Sequence, residues 1–102
     1  MFGKMGDMMG KMQEMKQKSE EVKKRLDTIS VSGIAEDGKV TAISNGNRKI
    51  TSIQISEELF ANADKERIED LTIVAINRAL EKAEKVSEAE IAGVAKGMLP
   101  GF

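Results

Sequence analysis

A chain of 102 residues with a formal net charge of −1 makes one domain with a modest core, and any helix projecting from it needs a partner to cover its apolar face. Cysteine and histidine are both absent, which excludes a disulfide framework, thiol chemistry and the commonest general base and metal ligand. The aromatic residues are Phe2, Phe60 and Phe102 alone, too few to build stacking platforms for single-stranded nucleic acid.

The longest apolar run, Ile73-Val74-Ala75-Ile76, is far short of the roughly 18 residues a membrane span needs. No continuous apolar stretch follows Lys4, so no signal peptide is expected and the chain reads as cytoplasmic. The small net charge hides an uneven distribution. Lys4 to Arg25 carries seven basic and four acidic residues, a balance of +3, whereas residues 27–63 and 64–96 each balance at −2.

The N-terminal segment has the clearest period. Met5, Met8, Met12, Met15, Ser19, Val22, Leu26 and Ile29 follow steps of three and four, a heptad a/d register in which Ser19 is the one polar member. Such a stripe is narrower than the face of a helix lying on a sheet, so Met8, Met12, Met15, Val22 and Leu26 are expected to form a seam for another helix. Gly3, Gly6 and Gly10 each disfavour helix by about 1 kcal/mol relative to alanine. They predict a frayed stretch over 1–10 and a firm helix from about Lys11 to Leu26.

From Thr28 to Ser32 polar and β-branched apolar residues alternate, as in a half-buried strand. Glu36-Asp37-Gly38 is turn chemistry, and residues 39–44 make a second strand. Asn45-Gly46-Asn47 is expected to supply the positive φ angles of a tight hairpin, and residues 50–55 make a third strand. Three strands with short turns are an antiparallel meander. Ser56 caps one short helical turn. A second long helix starts near Asp64, which can cap it, with Glu66, Glu69 and Asp70 complementing its dipole. Gly93, Gly97 and Leu99-Pro100-Gly101 are expected to end it, leaving 96–102 as a tail. The fold class is α+β: helix, three-stranded meander, helix. Neither helix can cover both sheet faces while satisfying its own seam, which predicts a dimer with a shared sheet core and projecting helical arms.

The charges of the first helix are ordered. With Met5 at a, Lys4, Lys11, Lys18 and Arg25 fall at g, Lys16 and Lys23 at e, and Asp7, Glu14 and Glu21 at c. Each acid stands four residues before a g-position base, an orientation that adds roughly 0.2–0.5 kcal/mol to a helix. These residues therefore also read as a solvated, salt-bridged face. Lys16 and Lys23 lack an acid four residues earlier, and Lys23-Lys24-Arg25 is the densest basic cluster. Lys16, Lys23, Lys24 and Arg25 are the first candidates for phosphate contact, with Arg78 and Lys82 of the second helix behind them because Glu81 and Glu84 offset those charges. Arg48-Lys49, beside the hairpin turn, either contacts phosphate or blunts a sheet edge. The acidic pairs Glu57-Glu58 and Glu69-Asp70 lie at helix starts, where the dipole accounts for them. No phosphate loop, metal-ligand cluster or nucleophile–base pair is present, so no catalytic residue, metal or cofactor is expected.

Four pieces in order resemble the YbaB/EbfC family of bacterial nucleoid-associated proteins. They are Met1-Phe2-Gly3-Lys4 before a Met/Gln/Lys-rich helix, and the hairpin from Asp37-Gly38-Lys39-Val40 to Asn45-Gly46. Ile53-Gln54-Ile55 then leads to Glu69-Asp70-Leu71 and Ala75-Ile76-Asn77-Arg78-Ala79, and Gly97-Met98-Leu99-Pro100-Gly101-Phe102 closes the chain. The resemblance implies a homodimer whose helices project like tweezers, binding duplex DNA with little sequence demand in the nucleoid and contributing to its organisation and to gene regulation. It implies no small-molecule substrate and no membrane. The composition alone also admits a scaffold that grips another protein with its Met-rich helices and binds no DNA.

Overall fold

The computed structural model describes residues 2–62 and 64–98. The elements are α1 (Phe2–Thr28), β1 (Ser30–Ala35), β2 (Val40–Asn45), β3 (Ile50–Ile55), α2 (Glu57–Asn62) and α3 (Lys65–Met98). The expected α+β order is the observed one, and the strands form one antiparallel sheet in the order β1-β2-β3. The molecule is long and narrow, 72 × 21 × 19 Å, because α1 and α3 both run well beyond the sheet.

α3 begins where its cap dictates: the Asp64 carboxylate accepts the backbone N–H of Arg67 at 2.8 Å, satisfying one of the orphan donors of the first turn. Ser56 does the same for α2, accepting the N–H of Leu59 at 3.1 Å. Leu59 thereby points into the core formed by Ala35, Val40, Ala42, Ala75 and Ala79, with Ile50, Ile68, Leu71 and Ile76 packed around it.

The sheet–helix contact is set by small residues. Ala75, Ala79 and Ala83 are fully buried and, four residues apart, form one stripe of α3. Opposite that stripe sits Gly33, where an added Cβ would overlap the carbonyl oxygen of Ala75 and the backbone nitrogen of Ala79. This corrects the expected first strand, which stopped at Ser32. The strand continues through Gly33 to Ala35 because a glycine inside it lets the helix backbone approach. It also starts later than expected, since α1 runs on through Thr28, whose hydroxyl donates to the Arg25 carbonyl at 2.7 Å.

The hairpin turns differ from each other. In the first, Asp37 and Gly38 adopt φ of 55° and 93°, and Lys39 N–H donates to the Glu36 carbonyl at 3.2 Å, the geometry of a type I′ turn. In the second, the expected positive φ at Asn45-Gly46 is not found and falls instead on Arg48, at 62°. Asn45 organises this turn with its side chain, its Oδ1 accepting the N–H groups of Asn47 at 2.9 Å and Lys49 at 3.1 Å. Gly46 is needed for closeness, since a Cβ there would lie 2.8 Å from both Leu26 Cδ2 and the Leu26 carbonyl oxygen. The last turn of α1 is thereby seated on the β2–β3 turn.

Both long helices extend past their expected ends. α1 begins at Phe2 and includes Gly3, Gly6 and Gly10, and α3 passes through Gly93 to Met98. The expected stop at Leu99-Pro100-Gly101 lies outside the described residues, as do the side chains of the 97–102 motif.

Candidate nucleic-acid interface

The basic residues that the sequence singles out fall on two surfaces. The first is built by α1 and the β2–β3 turn. The Asn47 side-chain amide donates to the Lys23 carbonyl at 2.9 Å and to the Asp27 carboxylate at 2.5 Å, while Gly46 N–H donates to the Leu26 carbonyl at 2.8 Å. These bonds fix the turn carrying Arg48 and Lys49 beside the helical segment carrying Lys23 and Lys24. The turn and the helical segment, about 24 positions apart in the chain, are thus joined, which no local pattern announces, while the Arg48 side chain lines a recess with Asn77, Leu80, Glu81 and Glu84 of α3. Lys16, Lys23, Lys24, Arg48 and Lys49 are all exposed. Among the described residues no carboxylate lies within ion-pair distance of any of them.

Arg25 is placed differently. The acid-first spacing points to Glu21, yet the guanidinium Nε pairs with Glu90 of α3 at 3.2 Å. Of the three expected pairs within α1, Glu14 with Lys18 is formed, at 3.2 Å, and the side chain of Asp7 lies outside the described residues. Arg25 therefore ties α1 to α3.

The second surface runs along α3. Arg78, Lys82 and Lys85 are spaced four and three apart, and so share one helix face. Glu81, Glu84 and Glu88, spaced three and four apart, occupy the next. The alternation in sequence thus becomes segregation in space. Arg78 is partly committed, since its Nη1 donates to the Ile34 carbonyl of β1 at 2.6 Å. This face is turned to the β1 side of the sheet, away from α1, so the two basic surfaces are not one continuous patch.

α1 and α3 run antiparallel as they leave the sheet, and an open groove of about 400 Å³ lies between them. Met15, Ser19, Val22 and Leu26 line it from α1, and Ser87, Ile91, Val94 and Ala95 from α3, with Lys23 and Asn47 at its edge. Val22 and Leu26 are buried, whereas Met8, Met12 and Met15, on the same stripe, are 65%, 68% and 55% exposed. The seam is thus occupied in its lower half by α3 and, among the described residues, uncovered above it.

Arg67 bonds Glu36 at 2.7 Å, holding that carboxyl below its ordinary range by hydrogen bonding first and by charge second, with Lys39 adding to the effect. The guanidinium is raised in return. This pair clips the β1–β2 turn to the start of α3. Among the described residues no group of three or more His, Cys, Asp or Glu side chains is placed to hold a metal ion, and no helix is long and apolar enough to cross a membrane.

Residues 1–98 match the model of the YbaB/EbfC DNA-binding family. The chain belongs to that family. It is 44% identical over 100 residues to a nucleoid-associated protein of Bacillus cytotoxicus, covering 97% of this chain and 92% of that one. It is 41% identical over the same length and coverage to one from Bacillus cereus. A nucleoid-associated protein of Finegoldia magna is 38% identical over 79 residues, 76% of this chain and 70% of that one. The fold matches the crystal structure of an uncharacterized protein from Helicobacter pylori with a TM-score of 0.68 at 21% identity, over 89% of this chain and 91% of that one. YbaB/EbfC membership and these names are those of DNA-binding, nucleoid-associated proteins and not of enzymes.

Proposed function

We propose that this YbaB/EbfC chain is a homodimer in the nucleoid that binds duplex DNA through phosphate contacts, with little sequence specificity, and so contributes to nucleoid organisation and gene regulation. The observation that carries the reading is that Lys16, Lys23 and Lys24 of α1 are exposed and, among the described residues, free of any ion pair, on a helix to which the turn carrying Arg48 and Lys49 is bound. A net charge of −1 requires the positive surface to be local, and lysine side chains on a helix contact phosphate oxygens without reading base edges.

The dimer reading is supported by apolar surface beside α3. Ile53 and Ile55 of β3 point to the same sheet face as Val40 and Ala42, yet α3 lies over β1 and β2 and leaves these isoleucines 38% and 39% exposed. Ile73 of α3 is more exposed still. A second copy covering this edge would bury them and double the number of basic arms.

Mobility shift on random duplex DNA across a salt series tests the reading. If each of two arms neutralises two or three phosphates, log K falls against log salt with a slope of about −4 to −5, and Kd at physiological salt lies near or slightly below roughly 10⁻⁴–10⁻⁶ M. Replacing Lys23, Lys24 and Arg25 together with glutamine weakens binding on all sequences alike and flattens that slope. The same change at Arg78 and Lys82 does less. A parent protein that shows no shift at low salt overturns the reading. Light scattering checks the dimer, which a well-folded 11.1 kDa species would exclude.

A further inference from the structure

Among the described residues the stripe on α1 is only half used, and the used half shows what it takes. Below Met15 the stripe meets an antiparallel amphipathic helix, the end of α3, which presents Ile91 and Val94 to the groove and Glu90 to Arg25 at 3.2 Å. Above that point Met12 and Met8 lie one and two turns beyond the groove on the same stripe, more than half exposed.

The charges beside the stripe select the occupant. The e and g positions flanking the stripe along α1 are Met9, Lys11, Lys16, Lys18, Lys23 and Arg25, basic at every one but Met9, while Glu14, Glu20, Glu21 and Asp27 stand behind them at b and c. A second α1 laid on the stripe would set lysine against lysine in either the parallel or the antiparallel alignment, which opposes self-pairing of the seam. A helix flanked by aspartate and glutamate is complementary on both sides, as the Arg25–Glu90 bond already is on one. Methionine suits such a surface because its unbranched, polarizable side chain repacks around differently shaped aliphatic partners.

We infer that the Met8–Met12–Met15 stripe is a docking surface for an amphipathic helix of another protein, one carrying aliphatic residues at heptad spacing with acidic residues on both sides of them. The docked helix prolongs the α1–α3 seam and sets its carboxylates against Lys11 and Lys16. Docking itself needs no DNA. Competition between the helix and DNA rests on the phosphate contacts proposed above.

The test uses the full chain, labelled at its methionine methyl carbons, and two synthetic three-heptad peptides with leucine at a and d. One peptide has glutamate at e and g, which keeps it from pairing with itself at neutral pH, and the other has lysine. The glutamate peptide is expected to shift the Met8, Met12 and Met15 methyl signals saturably and to bind about tenfold or more tightly than the lysine peptide. Met12→Glu with Met15→Glu weakens it about tenfold or more, while Met12→Leu with Met15→Leu does not. Both residues are exposed, so a thermal melt unchanged from the parent shows that each variant is folded. Equal affinity for the two peptides, shifts confined to other methionines, or no saturable shift overturns the inference. So does a concentration dependence of those methyl signals in the free protein, which would give the stripe to a second copy. Random duplex DNA added to the complex is expected to displace the peptide. A peptide that stays on the methionines while DNA binds leaves the docking in place and removes Lys16 from the phosphate contacts.

Discussion

The two halves of this molecule obey the same helical periodicity under opposite constraints. Where α3 crosses the sheet, Ala75, Ala79 and Ala83 are fully buried and Gly33 leaves no room for a single added carbon. Where α1 leaves the sheet, large flexible methionines at equally regular spacing are exposed. Close packing of small residues leaves one arrangement available, because helix and strand backbones are nearly in contact. The exposed stripe, by contrast, has its apolar side chains in place with nothing among the described residues over them. The first region specifies the fold and the second is available for association.

That contrast breaks most severely at Gly33. Gly33→Ala forces α3 away from β1 and is expected to cost on the order of 3 kcal/mol, read as the drop in denaturant midpoint at constant slope. Leu26→Ala, at the base of α1 where Gly46 is packed, should cost about 2–4 kcal/mol through the cavity it leaves. The loss of the Asp64 cap in Asp64→Ala should cost about 1 kcal/mol, measurable in the same denaturant titration.

The smallest effect is a dependence on acidity. The Glu36 carboxyl is held below its ordinary value of 4.5 chiefly by its bond to Arg67. The folded state thus binds that proton less readily than the unfolded state does. The stabilisation is fully present above the ordinary carboxylate range and is lost as pH falls through the depressed folded value. The group is fully exposed, so the change is small, and Glu36→Gln should remove it from a stability–pH profile below pH 4.5.

Much of the sheet-bound half was legible because its signals are local. Asp64 and Ser56 cap the helices expected of them, Asp37-Gly38 turns the first hairpin, and alternation marks the strands. The second hairpin was misread, because Asn-Gly suggests a positive φ when what Gly46 supplies is room for Leu26. Gly33 carried no signal of its role, since its constraint comes from a helix more than forty positions away. The same holds for the interface. Lys23 and Lys24 stand out in the sequence, but the seating of the Arg48–Lys49 turn on their helix depends on Asn47, and Arg25 finds Glu90 across the groove in preference to Glu21 one turn away. Spacing within a helix identifies which charges share a face and says nothing of what another element brings to it.

Asn47 also has a mechanical consequence. Its amide grips the carbonyl of Lys23 and the carboxylate of Asp27, so α1 is held at its root and extends from there as a lever. From Lys23 to Met8 the helix spans about 22 Å at 1.5 Å per residue. A tilt of about 10° at the root carries the tip sideways by roughly 4 Å, close to the 3.4 Å spacing of charges along one DNA strand. One side chain of the sheet's second turn therefore sets where the far end of the arm arrives, and a small change there is enough to move it by a whole nucleotide step.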